Sequence, residues 1–139
     1  MLAVVTIVGV LSSVGMSRTR SILARAKAAR AIGDLRTISQ ELSTLDTLPA
    51  SLAAINRGSR RDPWGRAYRY LRFPPRSGGG HAPPNGARKD RFLVPINSRF
   101  DLYSVGPDGL STPPLTAKTS RDDVIVANDG GFIGRAVDY

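Results

Sequence analysis

Apolar residues dominate the start of this chain and then recur with helical spacing. Residues 1–16 carry no charge and are mostly apolar. Beyond them, apolar residues return at steps of three and four among Ala, Arg, Glu and Gln, namely Ile22, Ala26, Ala29, Ile32, Leu35, Ile38, Leu42 and Leu45. This spacing places them on one face of a helix. No proline interrupts the stretch, so the pattern predicts one continuous helix of roughly 44 residues.

The two halves of this predicted helix differ in character. As a helix, residues 1–16 span roughly 24 Å, less than the ~30 Å hydrocarbon core of a bilayer. The basic n-region of a secretory signal is missing. We therefore interpret residues 1–16 as a membrane or filament-core half, with a signal-peptide core or a buried helix as alternatives. Residues 17–46 form the amphipathic half, and its first turns carry Arg18, Arg20, Arg25, Lys27 and Arg30. These cations suit lipid headgroups or an acidic filament contact.

Short strands are predicted in the remainder, residues 47–139, which we interpret as a head domain. A helical turn at 51–55 and the turn Asp62-Pro63-Trp64-Gly65 precede the first strand. Strands are predicted at 67–73, at 100–105, where apolar residues alternate, and at 124–127. Residues 132–134 either pair with the third strand or pack on the helix. The predicted fold class is α+β, a long N-terminal helix with a small antiparallel sheet on its C-terminal half.

Composition excludes several kinds of site. The chain has 139 residues, a formal net charge of +9, no cysteine and one histidine. The lack of cysteine excludes disulfides and cysteine-ligated zinc. A histidine-based catalytic triad could use only a single histidine, His81. Residues 74–91 are basic and rich in glycine and proline, and we expect an unpacked loop there. No aromatic residue interleaves its charges as stacking on nucleic acid requires, so nucleic acid is not an expected partner.

Carboxylates stand out at both ends of a loop at residues 105–123. Asp108 lies in a Pro-Asp-Gly turn, and Asp122 and Asp123 precede the third strand. Together they could supply the oxygen ligands that calcium prefers, and the ion would then close the loop. In the alternative interpretation, Asp108 closes a turn through its own side chain, while Asp122 and Asp123 are solvated and paired with Arg121. The spacing is not that of an EF-hand.

Three segments together resemble a known family. They are the apolar run Ala3-Val4-Val5-Thr6-Ile7-Val8-Gly9-Val10-Leu11, the Asp-Pro-Trp-Gly turn followed by Ala67-Tyr68-Arg69-Tyr70, and Tyr103-Ser104-Val105-Gly106-Pro107-Asp108-Gly109 with Asp122-Asp123-Val124. This set resembles the major pseudopilins of type II secretion systems, which belong to the type IV pilin-like superfamily. The resemblance implies a calcium ion bound by the carboxylates of Asp108, Asp122 and Asp123 and by the carbonyls of Val105 and Leu110.

The resemblance also implies a function. It predicts a non-enzymatic subunit with one span in a bacterial inner membrane and a periplasmic head. Its partners would be further copies of itself in a filament, minor pseudopilins and an inner-membrane assembly platform. The alternatives are a subunit of a type IV or DNA-uptake pilus and, from another class, a membrane-anchored basic module that binds nucleic acid.

The chain departs from the family pattern in several places. Met1 aligns directly after the family's glutamate, so the family's processing motif, with the methylation that accompanies it, has no counterpart in residues 1–139. Ser17 stands where relatives often have a helix-kinking proline. The loop at 74–91 is an insertion, the interval at 110–121 is longer than expected, and the tail at 128–139 extends beyond many relatives.

Overall fold

The computed structural model describes the backbone of residues 2–139 and the side chains of residues 7, 9 and 15–139. One long helix, α1 (Leu2–Ser43), precedes four strands: β1 (Arg69–Arg72), β2 (Phe100–Ser104), β3 (Val124–Ala127) and β4 (Phe132–Arg135). Short 3-10 turns lie at Leu52–Ile55, Lys118–Ser120, Asn128–Gly130 and Ala136–Asp138. The predicted α+β class is confirmed, and the helix ends within two residues of its expected limit.

The strands form one antiparallel sheet in the order β1-β2-β3-β4. Leu102 pairs with Tyr70 of β1, and Ser104 pairs with Val124 of β3. β4 runs beside β3, with Ile133 opposite Val126. This pairing decides between the two predicted positions of residues 132–134. Since side chains alternate across a strand, the sheet has one face toward α1 and one toward the loops.

Within the described residues, the helix packs on the sheet mainly through its C-terminal part. Ala31, Leu35, Ile38 and Leu42 are buried against Phe100, Leu102, Val124 and Val126, and Trp64 packs at the edge of this core. The predicted apolar stripe is thus correct from residue 31 onward. Ile22, by contrast, is 66% exposed, and Ala26 and Ala29 are also exposed. The reason is the size of the sheet, which covers only the last turns of α1.

The apolar start of the chain falls mostly outside the described side chains. Among the residues that the structure describes, no helix combines the length and the apolar character needed to cross a membrane. The prediction of a membrane or filament-core segment at residues 1–16 rests chiefly on side chains beyond that set, so it stays a prediction.

A buried carboxylate fastens α1 to the head. Asp34 accepts hydrogen bonds from the Tyr68 hydroxyl at 2.8 Å and from the Arg60 guanidinium. Burial opposes ionisation, but these two donors together hold the pKa of Asp34 below its ordinary value. Burial and the bond to Asp34 raise the pKa of Tyr68. The helix is therefore joined to the residue just before β1 and to Arg60 by polar contacts as well as by the core.

The end of the basic insertion is packed, which differs from the expectation of an unpacked loop. Ala87 and Arg88 are 8% and 2% exposed. The Arg88 amide donates to Asp101 Oδ2 at 2.6 Å, and Lys89 exchanges backbone hydrogen bonds with residues 113 and 115. The insertion therefore reaches the loop-covered face of the sheet, where Ile96, Leu115 and Ala136 form a second apolar cluster with Ile125 and Ala127.

Candidate functional site: the acidic loop

The turn after Asp62 fixes the start of the acidic loop. Asp62 Oδ1 accepts hydrogen bonds from the amides of Trp64 at 3.0 Å and Arg66 at 2.8 Å. Its other oxygen accepts from the Ser104 hydroxyl at 2.6 Å, and Ser104 is fully buried. One carboxylate thus shapes the Asp-Pro-Trp-Gly turn and joins it to the last residue of β2, directly before the loop at residues 105–123.

The first residues of the loop are held by an arginine from that same turn. Arg66 Nη1 donates to the carbonyl oxygens of Gly106 at 2.9 Å and Pro107 at 3.5 Å. The Gly106 amide donates to Ser104 Oγ at 3.2 Å. Gly106 has a φ of +66°, and its Cα lies close against the backbone of Asp122. A residue with a side chain would be strained at this φ, and its Cβ would lack space.

Asp108 and Asp122 bring the two ends of the loop together. Asp108 Oδ1 accepts a hydrogen bond from the Leu110 amide at 2.8 Å. This bond closes the local turn that the alternative interpretation predicted. The Asp108 amide donates to Asp122 Oδ2 at 3.2 Å. Asp108 is exposed and Asp122 is half-buried. Both carboxylates therefore lie at the rim of the loop, in contact with water.

Asp123 has a different environment from its neighbour. Its residue is fully buried, and its Oδ2 forms an ion pair with the Arg88 guanidinium and accepts from Ser111 Oγ at 2.6 Å. Its Oδ1 is buried without a hydrogen-bond partner among the residues that the structure describes. Burial raises the pKa of Asp123 to about 6, against the lowering by Ser111 and Arg88. The partner that the alternative interpretation assigned to it, Arg121, is replaced here by Arg88.

Arg88 contacts several segments through its two terminal nitrogens, while its Nε is buried without a hydrogen-bond partner among the described residues. Nη1 donates to Ser111 Oγ at 2.6 Å and to the Thr112 carbonyl at 2.7 Å. The guanidinium carbon lies 4.2 Å from the centre of the Tyr103 ring, which is a cation–π distance. Arg88 thereby links the insertion, the strand β2 and both halves of the acidic loop.

A second buried carboxylate positions the Arg88 backbone. Asp101 is fully buried, and besides the Arg88 amide it accepts from Asn97 Nδ2 at 3.0 Å. Asn97 also donates to the Val126 carbonyl at 2.9 Å. Burial raises the pKa of Asp101, although these donors oppose the shift. The segment from Arg88 to Asn97 is thus fixed at both ends: Arg88 is bonded to β2, and Asn97 is bonded to β2 and β3.

The five predicted calcium ligands lie in different surroundings, and Val105 is buried at the end of β2. Asp108 and Asp122 adjoin each other, but Asp123 faces inward toward a guanidinium, and Leu110 is 58% exposed. In the part of the chain that the structure describes, no three acidic or histidine side chains form a group that could hold a metal ion. Asp123 Oδ2 is paired with Arg88, whereas its Oδ1 has no hydrogen-bond partner among the described residues. Calcium binding stays a prediction that only a binding measurement can decide.

Sequence reasoning missed the residues that hold this loop. Asp62 had a usable signal, since Asp before Pro-x-Gly often accepts from the amides of its own turn. No pattern in the sequence marked Arg66 or Arg88 as loop contacts. Arg88 lies in a segment whose composition is that of a solvated loop, and its partner Asp123 lies 35 positions further along the chain.

Comparisons with known proteins leave the family undecided. No protein-family model, no curated protein and no solved structure matches this chain. The long helix packed on a four-stranded antiparallel sheet is compatible with a pilin-like α+β fold, and that architecture is the extent of the assignment.

Proposed function

We propose that this chain is a structural, non-enzymatic subunit of a filament, the pseudopilus of a type II secretion-like system. The observation that carries the proposal is the helix that extends beyond the head. On that extension Met16, Ile22 and Leu23 are 60%, 66% and 55% exposed. Apolar side chains grouped on an unpaired helix favour burial against another surface. Further copies of the same helix provide such a surface.

The division of α1 supports this role. Its C-terminal part is already covered by the head, whereas residues 15–26 are exposed along the preceding turns. Four alanines of α1, Ala24, Ala26, Ala28 and Ala29, allow helices to approach closely. In the proposed filament these helices form the core and the heads the outer layer, in the periplasm. An inner-membrane platform would assemble the subunits, and growth of the filament would move the exported proteins outward.

The first test is proximity between copies. The chain has no cysteine, so Leu23→Cys introduces a single thiol, to which a maleimide-linked benzophenone can be attached. After illumination of assembled protein, we expect covalent dimers and higher multimers whose cross-linked peptides both come from this chain. The measurement is gel electrophoresis followed by mass spectrometry.

Ser59→Cys is the matched control, because Ser59 is exposed and lies on the head, outside α1. It is expected to give few multimers. Equal yields from the two positions, or cross-links from position 23 to lipid alone, contradict the filament proposal.

A nucleic-acid-binding module is the second candidate, favoured by the exposed cations on the same extension. Arg18, Arg20 and Arg25 are exposed within two turns of helix, in a chain of net charge +9. If they bind phosphates, DNA affinity should fall steeply with salt, about 10³-fold or more between 50 and 200 mM for six or more phosphate contacts. Binding that persists at physiological salt would favour this candidate, or a DNA-uptake pilus, over a secretion filament.

A further inference from the structure

The buried carboxylate of Asp123 needs a positive charge beside it. An ionised group removed from water is strongly destabilised unless it is paired and hydrogen-bonded. Arg88 is the paired cation, and its own exposure is 2%. The guanidinium also binds Ser111 and Thr112, which lie in the long interval of the loop. One group therefore contacts the end of the loop and its middle.

A second guanidinium holds the beginning of the loop. Arg66 binds the carbonyls of Gly106 and Pro107. Between them, the two arginines bind three backbone carbonyls, one hydroxyl and one carboxylate oxygen of the loop. Backbone carbonyls and carboxylates are also the ligands that calcium selects. These five oxygen atoms, of which only Asp123 Oδ2 belongs to a predicted calcium ligand, are engaged by donors of the chain itself.

We propose that the Arg88 guanidinium, supplied by the insertion at residues 74–91, is the cation that closes the acidic loop, in the role that the resemblance assigns to calcium. A guanidinium is permanently charged and presents five donors in a fixed plane. It also repels a divalent cation at the same site, where screening by water is weak. Closure of the loop is then independent of the calcium concentration.

The proposal gives a physical reason for two departures from the family pattern. The insertion carries Arg88 to the loop, and Asp101 fixes its backbone there. The long interval at residues 110–121 supplies the acceptors Ser111 and Thr112. An arginine can close the loop only if a chain segment places it there and if acceptors surround its guanidinium. A calcium ion needs no such segment, because it binds from solution.

The test compares calcium with chelator for the full chain in mild detergent. Thermal unfolding of the wild type should give the same Tm in 5 mM calcium and in EDTA. Terbium, a luminescent stand-in for calcium, should show no saturable binding at the loop. Arg88→Met should lower Tm by roughly 10 °C or more, because it leaves Asp123 buried without its counter-charge. Lys89→Met, which removes the exposed neighbouring cation, should change Tm by no more than about 2 °C.

A second variant keeps the test decisive if Arg88→Met fails to fold. Arg88→Lys retains the charge but loses the planar arrangement of donors, and its Tm should lie between those of the wild type and a fully disrupted loop. The proposal is overturned if calcium raises the wild-type Tm by several degrees, and equally if the Arg88 variants unfold at the temperature of Lys89→Met. Either failure concerns the loop alone and leaves the cross-linking test of the filament unaffected.

Discussion

Gly106→Ala is expected to lower the free energy of unfolding by about 3 kcal/mol, the sum of two separate costs. The first is backbone conformation: Gly106 has a φ of +66°, and a residue with a Cβ is strained there by roughly 1 kcal/mol. The second is space, because the new Cβ would overlap the carbonyl of Asp122. Forcing backbone apart in a packed site costs typically 1–3 kcal/mol. Urea unfolding of the full chain measures the sum.

Gly65→Ala separates the two costs. Gly65 has a comparable φ of +86°, but a Cβ there would meet nothing within 4 Å. This variant should lose only the conformational part, about 1 kcal/mol. Equal losses at the two glycines would mean that the loop end and Asp122 are not in contact in solution, and the described closure of the loop would then be wrong.

Asp34→Asn is expected to cost about 2–3 kcal/mol at neutral pH. Asp34 is 6% exposed and accepts from Tyr68 and Arg60. Hydrogen bonds to charged groups typically contribute ~1.5–3 kcal/mol. The amide keeps one acceptor oxygen for Tyr68 but cannot pair with Arg60. Asp46→Asn removes an exposed carboxylate just beyond α1 and should change stability by less than about 0.5 kcal/mol.

The same variant should also alter the pH dependence of stability. The pKa of Asp34 is below its unfolded value of 3.8, so the unfolded chain binds the proton more tightly. The stabilisation by ionised Asp34 is therefore complete above about pH 5 and is lost as the pH falls through the folded-state pKa. We expect the difference between wild type and Asp34→Asn to shrink from pH 6 toward pH 3. A constant difference over that range would show that the carboxylate charge contributes nothing.

The elements and the core face of this protein were predictable because their causes are local. Three- and four-residue spacing marks Leu35, Ile38 and Leu42 as one face of a helix without knowledge of what covers it. Apolar alternation marks β2, and a short apolar run marks β3, in the same local way. The choice of partner for β4 was not predictable, since pairing on β3 or packing on α1 satisfies the same short apolar sequence.

Only the two ends of the candidate site could be predicted from the sequence. The two acidic segments of the loop are visible in the sequence, and Asp108 and Asp122 do adjoin each other. Asp122 and Asp123 are adjacent and have the same side chain, yet Asp122 is half-buried and Asp123 is fully buried. The alternation of β3 continues backward to Asp123 and turns it toward the interior, where only the folded chain determines what it meets.

The sequence alone therefore determined the long helix, the strands, the Asp-Pro-Trp-Gly turn and the positions of the loop carboxylates, because each depends on neighbouring residues. Tertiary structure decided how much of α1 is covered, which strand pairs with β4, and which cation faces Asp123. Arg88 has the local composition of a solvated loop, and it is buried because Asp101, Ser111, Thr112 and Asp123 converge on it from distant positions. A buried charge is stable only where such partners meet, and their meeting is a property of the fold.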